Sequence, residues 1–247
     1  MGQFKNISIK DVISEINQSF FLKIQRHYIW LKSADDKKIE QLFDVILKGY
    51  PTGSFLFWKL KKSDIETNRV IHTEGDILYL HLYKFLESLD ERSVPNEKIN
   101  IKQVNSDYIH IILDGQQRLT SLYVGLKGSR TIKRKWGRID NPNAYKEKKL
   151  YLNLRHHPST ENPEDNYEFE FLKSDEIPQQ DNSNFWFKVG DILDMVSVIS
   201  YVRENKLNVE EADMLEKLKE VFCTQKLISY YEETEKDFGT VLKNYPL

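Results

Sequence analysis

Cysteine, long apolar runs and net charge are all scarce in this 247-residue chain. It has one cysteine, Cys223, so neither an intrachain disulfide nor a cysteine-built zinc site can form. No stretch approaches the roughly 20 apolar residues of a membrane span, and the N-terminus lacks the apolar core of a signal peptide. We therefore expect a cytoplasmic protein that makes no contact with a membrane.

The net charge is −2, because 36 basic residues are balanced by 38 acidic ones. This balance excludes a wholly basic protein that coats DNA, but it does not exclude a local basic patch. Residues 127–149 contain nine Lys or Arg side chains and two acids, whereas residues 161–181 contain eight acids and one lysine. The balance therefore hides two segments of opposite charge.

The basic segment permits two interpretations. Its cations, with Trp136 and Tyr145 as stacking groups, are typical of a nucleic-acid surface. They are equally typical of a solvated loop that pairs with the acidic segment. On the first interpretation, the candidate nucleic-acid contacts are Arg130, Lys133, Arg134, Lys135 and Arg138.

Apolar periodicity predicts a fold that mixes helices and strands. Spacing along one face predicts helices that begin near Ser8, Ser33 and Gln116, and further helices over 78–89 and 209–222. Short apolar or alternating runs predict strands at 20–24, 54–60, 108–113, 150–154 and 167–171. The last two runs alternate like the strands of a β-hairpin.

The clearest chemical signal is an apolar strand that runs directly into Asp114-Gly115-Gln116-Gln117-Arg118. The strand delivers Asp114 to a sheet edge, where a carboxylate can hold a divalent cation or position a water. Gly115 lacks a Cβ atom, so a ligand can approach the backbone closely. The helix that begins at Gln116 presents unpaired amides, which often bind phosphate, and Arg118 adds a forked, permanent cation.

The same five residues also fit a purely structural role. Polar side chains that follow a strand often cap a helix, and an arginine often pairs with a nearby acid. The chain contains neither a P-loop motif nor the glycine fingerprint of a Rossmann dinucleotide site. Spacing alone therefore leaves a phosphate site and a capped helix as alternatives.

Four blocks of the chain, taken in order, resemble the N-terminal domain of the GmrSD-type restriction endonucleases, a family of antiphage and modification-dependent proteins. The blocks are Gln25-Arg26-His27-Tyr28-Ile29-Trp30, residues 41–54 with Gly49-Tyr50-Pro51-Thr52-Gly53, residues 114–122, and Trp186-Phe187-Lys188-Val189-Gly190-Asp191. The third block contains Asp114-Gly115-Gln116-Gln117-Arg118 and is the most specific of the four. The resemblance covers residues 4–195.

This resemblance implies a ParB/sulfiredoxin-like α/β fold of the mixed α+β kind, with additional helices and a β-hairpin insertion. Residues 1–200 would form a nucleotide-binding domain, and residues 201–247 a helical extension that is the truncated start of a downstream helical region. The HNH-type nuclease often found in the family has no counterpart in this sequence. A nuclease domain or subunit is therefore the expected partner.

For function, the resemblance implies that the domain binds and hydrolyses a nucleoside triphosphate to regulate a restriction system. Asp114, Gln116, Gln117 and Arg118 would be catalytic, with Asp114 also holding Mg²⁺. The phosphate contacts would come from Gly115, Gln116, Arg118, Thr120, Gln25 and Arg26. A non-hydrolysing module that binds nucleotide or DNA, and a defunct remnant that binds neither, are the alternatives.

Overall fold

The structure, a computed structural model, describes residues 2–23, 37–66, 81–90, 96–133, 136, 138, 141, 144–158, 166–235 and 241. Within these residues it has six α-helices and two mixed β-sheets, which confirms the mixed α+β class. None of the described helices is both long enough and apolar enough to cross a lipid bilayer. The finer assignment to a ParB/sulfiredoxin-like fold stays a prediction.

In the part of the chain that the structure describes, five strands form the first sheet. They are β1 (Gln3–Ile7), β2 (Phe20–Leu22), β3 (Ser54–Lys61), β5 (Tyr108–Asp114) and β10 (Ile228–Glu233). In space they follow the order β1-β10-β3-β5-β2, with β10 parallel to β3, and β2 parallel to β5. Strands β3 and β5 pair antiparallel inside this sheet, and a hydrophobic core covers each of its faces, which explains their nearly continuous apolar sequences.

The second sheet is built from β4 (Ser88–Asp90), β6 (Ser129–Lys133), β7 (Tyr145–Asn153), β8 (Phe169–Leu172) and β9 (Trp186–Lys188). Strand β7 pairs antiparallel with β6, β8 and β9. Leu150 lies opposite Phe171 and Leu152 opposite Phe169. The antiparallel pair predicted from the alternation at 150–154 and 167–171 is therefore confirmed.

The helices are α1 (Ile9–Glu15), α2 (Lys37–Leu47), α3 (Lys62–Glu66), α4 (Gln116–Leu126), α5 (Val198–Asn205) and α6 (Val209–Lys219). Ser8 caps α1 as its sequence predicts, because its hydroxyl accepts the Asp11 N–H at 3.1 Å. Helix α2 is followed by Gly49, whose φ of +87° turns the chain toward β3. A π-helical turn, Glu220–Thr224, follows α6.

The main core is built from residues of both sheets and of helices α1, α2, α4 and α6. Phe43 of α2 stacks on Phe222 at a centroid distance of 5.2 Å and also contacts Phe169 of β8. Helix α4 comes close to α2 because Gly125 has no side chain; a Cβ atom there would lie 2.5 Å from the Phe43 ring. A second, smaller core around Trp58 covers the other face of the first sheet.

The helix predicted over 78–89 is wrong for the part that the structure describes. Residues 81–90 are extended: Tyr83 exchanges backbone hydrogen bonds with Leu22, and β4 follows. The apolar residues of this segment serve different cores, since Leu82 packs in the smaller core while Phe85 and Leu89 pack in the main one. The helix-like spacing of these apolar residues arises because the extended chain passes from one core to the other.

The segment predicted as a helical extension, residues 201–247, contains most of α5 and all of α6. It also contains β10, which lies between β1 and β3 in the first sheet. This segment is therefore joined to the N-terminal sheet by backbone hydrogen bonds. The boundary at residue 200 stays a prediction.

Candidate functional site

The central strand β5 ends at Asp114, and α4 begins two residues later, so residues 114–118, here called the signature box, form the joint between them. Gly115 occupies the N-cap position with φ +86°, and within the described residues the helix start has no side-chain cap, since glycine offers none. The first turn of α4 therefore keeps the partial positive charge of an uncapped helix start. The buried strand fixes the position of this charge at the edge of the sheet.

The structure gives Gly115 a packing role, and the close ligand approach expected from its sequence stays a prediction. A Cβ atom at this position would overlap the ring of Phe55, with the ring atom Cε1 at 2.7 Å. The left-handed φ also disfavours other residues. Glycine at this position is thus required by packing and by backbone conformation.

Arg118 is turned toward the chain that precedes β3. Its Nη1 donates to the carbonyl oxygen of Thr52, and its Nη2 donates to that of Ser54 at 2.9 Å. The guanidinium lies over the ring of Phe55, 4.4 Å from its centroid. Nη2 is also 3.5 Å from a carboxylate oxygen of Asp114. The signature box is therefore tied to residues 52–54, here called the 52–54 turn.

Asp114 presents an accessible carboxylate, since 72% of its side-chain surface is exposed. Among the described residues, no three His, Cys, Asp or Glu side chains converge as a ready metal site. One exposed carboxylate nevertheless fits Mg²⁺, which often takes one or two protein carboxylates and completes its shell with phosphate oxygens and water.

Two other residues of the predicted set are turned into the protein. The side-chain amide of Gln116 donates to the carbonyl of Ile112 at 2.7 Å, and only 8% of the residue is exposed. Thr120 is fully buried, and its hydroxyl donates to the carbonyl of Gln116 at 2.8 Å. These side chains anchor the first turns of α4, whereas that of Gln117 is partly exposed.

Gln25 and Arg26 lie outside the described residues. Strand β2, which precedes them, is parallel to β5, with Leu22 opposite Ile112. The chain therefore leaves β2 at the edge where β5 reaches Asp114. Lys23 lies at this edge, and burial lowers the pKa of its ammonium group to about 8.

The family model for the N-terminal domain of the GmrSD restriction endonuclease matches residues 9–243, nearly the whole chain. The chain belongs to this family. No curated protein shows significant similarity to it. The resemblance found in the sequence is thereby confirmed, and membership makes this GmrSD-type domain a component of a restriction system.

The basic segment of this GmrSD-type domain is less available to nucleic acid than its sequence suggests. Arg130, a candidate contact, is only 2% exposed, and its strand β6 lies between β4 and β7 in the second sheet. Lys146 pairs with Asp175 of the acidic segment at 3.1 Å. Lys133 is partly exposed and Arg138 is exposed, while Arg134 and Lys135 lie outside the described residues.

A second polar cluster of the GmrSD-type domain crosses the first sheet away from the signature box. Glu232 of β10 is nearly buried and receives hydrogen bonds from Lys5 at 2.6 Å and from His110 at 3.1 Å. Lys59 lies 4.0 Å away. Since a carboxylate only accepts, His110 Nε2 carries the proton, and its enclosed Nδ1 has no partner among the described residues.

The environment of this cluster shifts two pKa values. Burial lowers the pKa of the His110 imidazole below its usual value, although the bond to Glu232 opposes this. Burial alone would raise the pKa of Glu232, but the hydrogen bonds from Lys5 and His110 outweigh it, and the pKa falls. The imidazole is therefore held neutral and the carboxylate ionised.

The contact between Arg118 and the 52–54 turn has little signal in the sequence. Thr52 and Gly53 belong to a block that matches the family, and their residue types alone indicate no role at the site. The one local signal was a second glycine soon after Gly49, and Gly53 indeed has φ +79°. Its contact with Arg118 depends on how β3 and β5 pair, which local spacing does not reveal.

Proposed function

We propose that this domain binds a nucleoside triphosphate at the signature box and hydrolyses it to regulate the nuclease of a restriction system. Family membership supports the restriction context. The observation that carries the nucleotide part is the uncapped start of α4, which lies directly beside the exposed carboxylate of Asp114. Unpaired amides and the helix dipole stabilise phosphate at such a position.

In this proposal, the first-turn amides of α4 hold the phosphates, and Arg118 adds positive charge beside them. Asp114 would hold Mg²⁺, which would neutralise phosphate charge at the site. The partly exposed Gln117 orients the attacking water, since an amide offers both a donor and an acceptor. The side chains of Gln116 and Thr120 support the helix, so the contribution of Gln116 to the nucleotide site is its backbone amide. Catalysis then comes mainly from positioning and charge stabilisation.

Nucleotide binding is tested by thermal-shift titration with ATP, GTP, CTP and UTP in the presence of Mg²⁺. We expect at least one of them to raise the Tm of the wild-type protein, because a ligand that binds only the folded state stabilises it. Arg118→Ala should abolish this rise. Arg203→Ala is the matched control, because it removes an exposed arginine from α5.

Hydrolysis is tested by phosphate release with Mg²⁺, measured with and without DNA. Release by the wild-type protein supports the full proposal. Binding without release in either condition supports the second candidate, a module that holds nucleotide or DNA without turnover. If the protein binds none of the four nucleotides, the nucleotide proposal is refuted.

A further inference from the structure

A cavity of about 290 Å³ opens at the end of the first sheet that lies away from the signature box. The parallel strands β3 and β10 both end there, and β5 begins there at Tyr108. Asp114 is the last residue of the seven-residue β5, so roughly 20 Å of strand separates it from Tyr108. The polar residues that line this cavity, here called the sheet-end cavity, are Lys59, Lys61, Asp64, Tyr108, Glu232 and Thr234.

The pairing of β3 with β5 brings three hydrogen-bond donors together beside this cavity. Lys61 lies opposite Tyr108, and Lys59 lies opposite His110. Residues directly opposite each other in an antiparallel pair share one face of the sheet, with Cβ atoms about 4.5–5.5 Å apart. Lys59 and Lys61 share a face as well, because they are two residues apart on one strand. The two ammonium groups and the Tyr108 hydroxyl therefore lie on the same face.

These three donors are accessible to a ligand and are not used within the protein. The Lys59 ammonium is 4.0 Å from Glu232, too far for a hydrogen bond, and lies over the Tyr108 ring at 4.7 Å from its centroid. Among the described residues, neither the Lys61 ammonium nor the Tyr108 hydroxyl has a hydrogen bond or an ion pair. The Lys59 side chain is 30% exposed and Tyr108 is 43% exposed, while Lys61 is exposed.

The carboxylate of Glu232 does not balance the charge of these lysines. Its side chain is only 5% exposed, and its two oxygens accept from Lys5 at 2.6 Å and from His110 at 3.1 Å. Asp64 adds a second carboxylate to the wall of the cavity. The ammonium groups of Lys5 and of the two cavity lysines thus face two carboxylates, and the neutral imidazole adds no charge. One positive charge remains in excess, which favours an anionic ligand.

We propose that the sheet-end cavity binds a phosphate group. The ammonium groups of Lys59 and Lys61 neutralise its charge, and the Tyr108 hydroxyl donates a hydrogen bond to one of its oxygens. Hydrogen bonds to an ionised acceptor are about twice as strong as neutral ones. A phosphodiester of DNA and a free phosphate monoester both carry this group, and the experiment distinguishes them. The site is separate from the proposed nucleotide site and goes beyond the proposed function.

Binding is measured by NMR titration of the protein with inorganic phosphate. The ring protons of His110 report on the cavity, because the imidazole is bonded to Glu232 in its wall, and His110→Gln identifies their signals. Sodium chloride keeps the ionic strength constant, since salt alone screens exposed charges. We expect a saturable shift in the wild-type protein and also in Arg118→Ala, which alters the signature box. No shift in either protein overturns the proposal.

Two double variants test the lysines. Lys59→Gln with Lys61→Gln should weaken phosphate binding about tenfold or more, because both cations that face the anion are removed. Lys206→Gln with Lys226→Gln is the matched control, since it removes two exposed lysines elsewhere on the surface. Tyr108→Phe keeps the ring and should weaken binding about threefold without lowering Tm, because no internal hydrogen bond is lost. Circular dichroism confirms that each variant folds.

Equal Kd values for phosphate in the two double variants overturn the proposal, and wild-type affinity in Tyr108→Phe overturns the contact from the hydroxyl. An unphosphorylated DNA duplex then identifies the source of the phosphate. Weaker duplex binding by the Lys59 and Lys61 variant than by its control assigns a backbone phosphodiester. Equal duplex binding, with weaker binding of AMP, assigns a phosphate monoester. Failure of nucleotide binding at the signature box refutes the proposed function and leaves this inference standing, because the two sites lie at opposite ends of β5.

Discussion

The ring of Phe55 fills the space beside Gly115 in which any other residue would carry its Cβ atom. The same ring also supports the guanidinium of Arg118. Phe55 follows the 52–54 turn directly, so one aromatic side chain of β3 contacts both the joint and the cation of the signature box. The box therefore depends on β3 for its shape as much as on its own sequence.

We expect Gly115→Ala to lower the free energy of unfolding by about 2–4 kcal/mol. About 1–2 kcal/mol comes from the left-handed φ and the rest from overlap with Phe55. Gly49→Ala is the control, because φ is similar there and the space is open, so only the conformational cost applies. Urea unfolding of both variants measures the difference, and equal losses would show that the contact with Phe55 is unimportant.

Asp114→Asn should reduce Mg²⁺-dependent phosphate release about a hundredfold, the size seen when one group that stabilises developing charge is removed. Its stability should stay within about 0.5 kcal/mol of the wild-type value, because the side chain is largely exposed. Asp213→Asn, an exposed change on α6, serves as the control. An unchanged rate in Asp114→Asn would exclude Asp114 from the reaction.

Stability should fall as the pH drops below about 6.5, the ordinary pKa of histidine. The folded state lowers the pKa of His110, so the unfolded chain binds more protons in this range, and acidification favours unfolding. Below about pH 4.5, protonation of Glu232 adds to the loss, because its folded pKa is also lowered. Protonation of His110 and protonation of Glu232 therefore both lower the stability of the folded protein as the pH falls.

The measurement is Tm between pH 7.5 and pH 5, taken for the wild-type protein and for His110→Gln. Glutamine can donate to Glu232 but does not titrate, so the fall in Tm over this range should become shallower. A variant whose pH profile parallels that of the wild-type protein would show that His110 does not cause the loss.

The exposed cations of the basic segment lead to a separate prediction about DNA binding. We propose that Lys133 and Arg138 contact DNA phosphates, since both are at least partly exposed. The double substitution Lys133→Glu and Arg138→Glu should then lower duplex affinity and make its salt dependence shallower by about two in the log–log slope. Identical salt dependence in both proteins would indicate a segment that is merely solvated.

Local patterns predicted the elements around the site well. The apolar run at 108–113 predicted β5, because a strand that is buried on both faces is apolar along its length. The spacing after Gln116 predicted α4, because a helix that is buried on one side has apolar residues at helical spacing. Ser8 was likewise predicted as a cap from its neighbours alone. Each of these features depends on residues close together in the chain.

Features that depend on distant contacts were missed. Nothing near Arg130 in sequence indicates that β6 is covered, and nothing near Arg118 indicates that its partners are Thr52 and Ser54. Strand β10 was missed for the same reason, since it completes the sheet by pairing with β1 and β3 from the far end of the chain. Such pairings arise from tertiary packing, which outweighs local propensity.

The most direct test of the central claim is a crystal structure with a non-hydrolysable nucleoside triphosphate analogue and Mg²⁺. We expect the phosphates at the start of α4, beside Asp114 and Arg118. Phosphates bound elsewhere on the domain, with the start of α4 unchanged and without ligand, would contradict the claim.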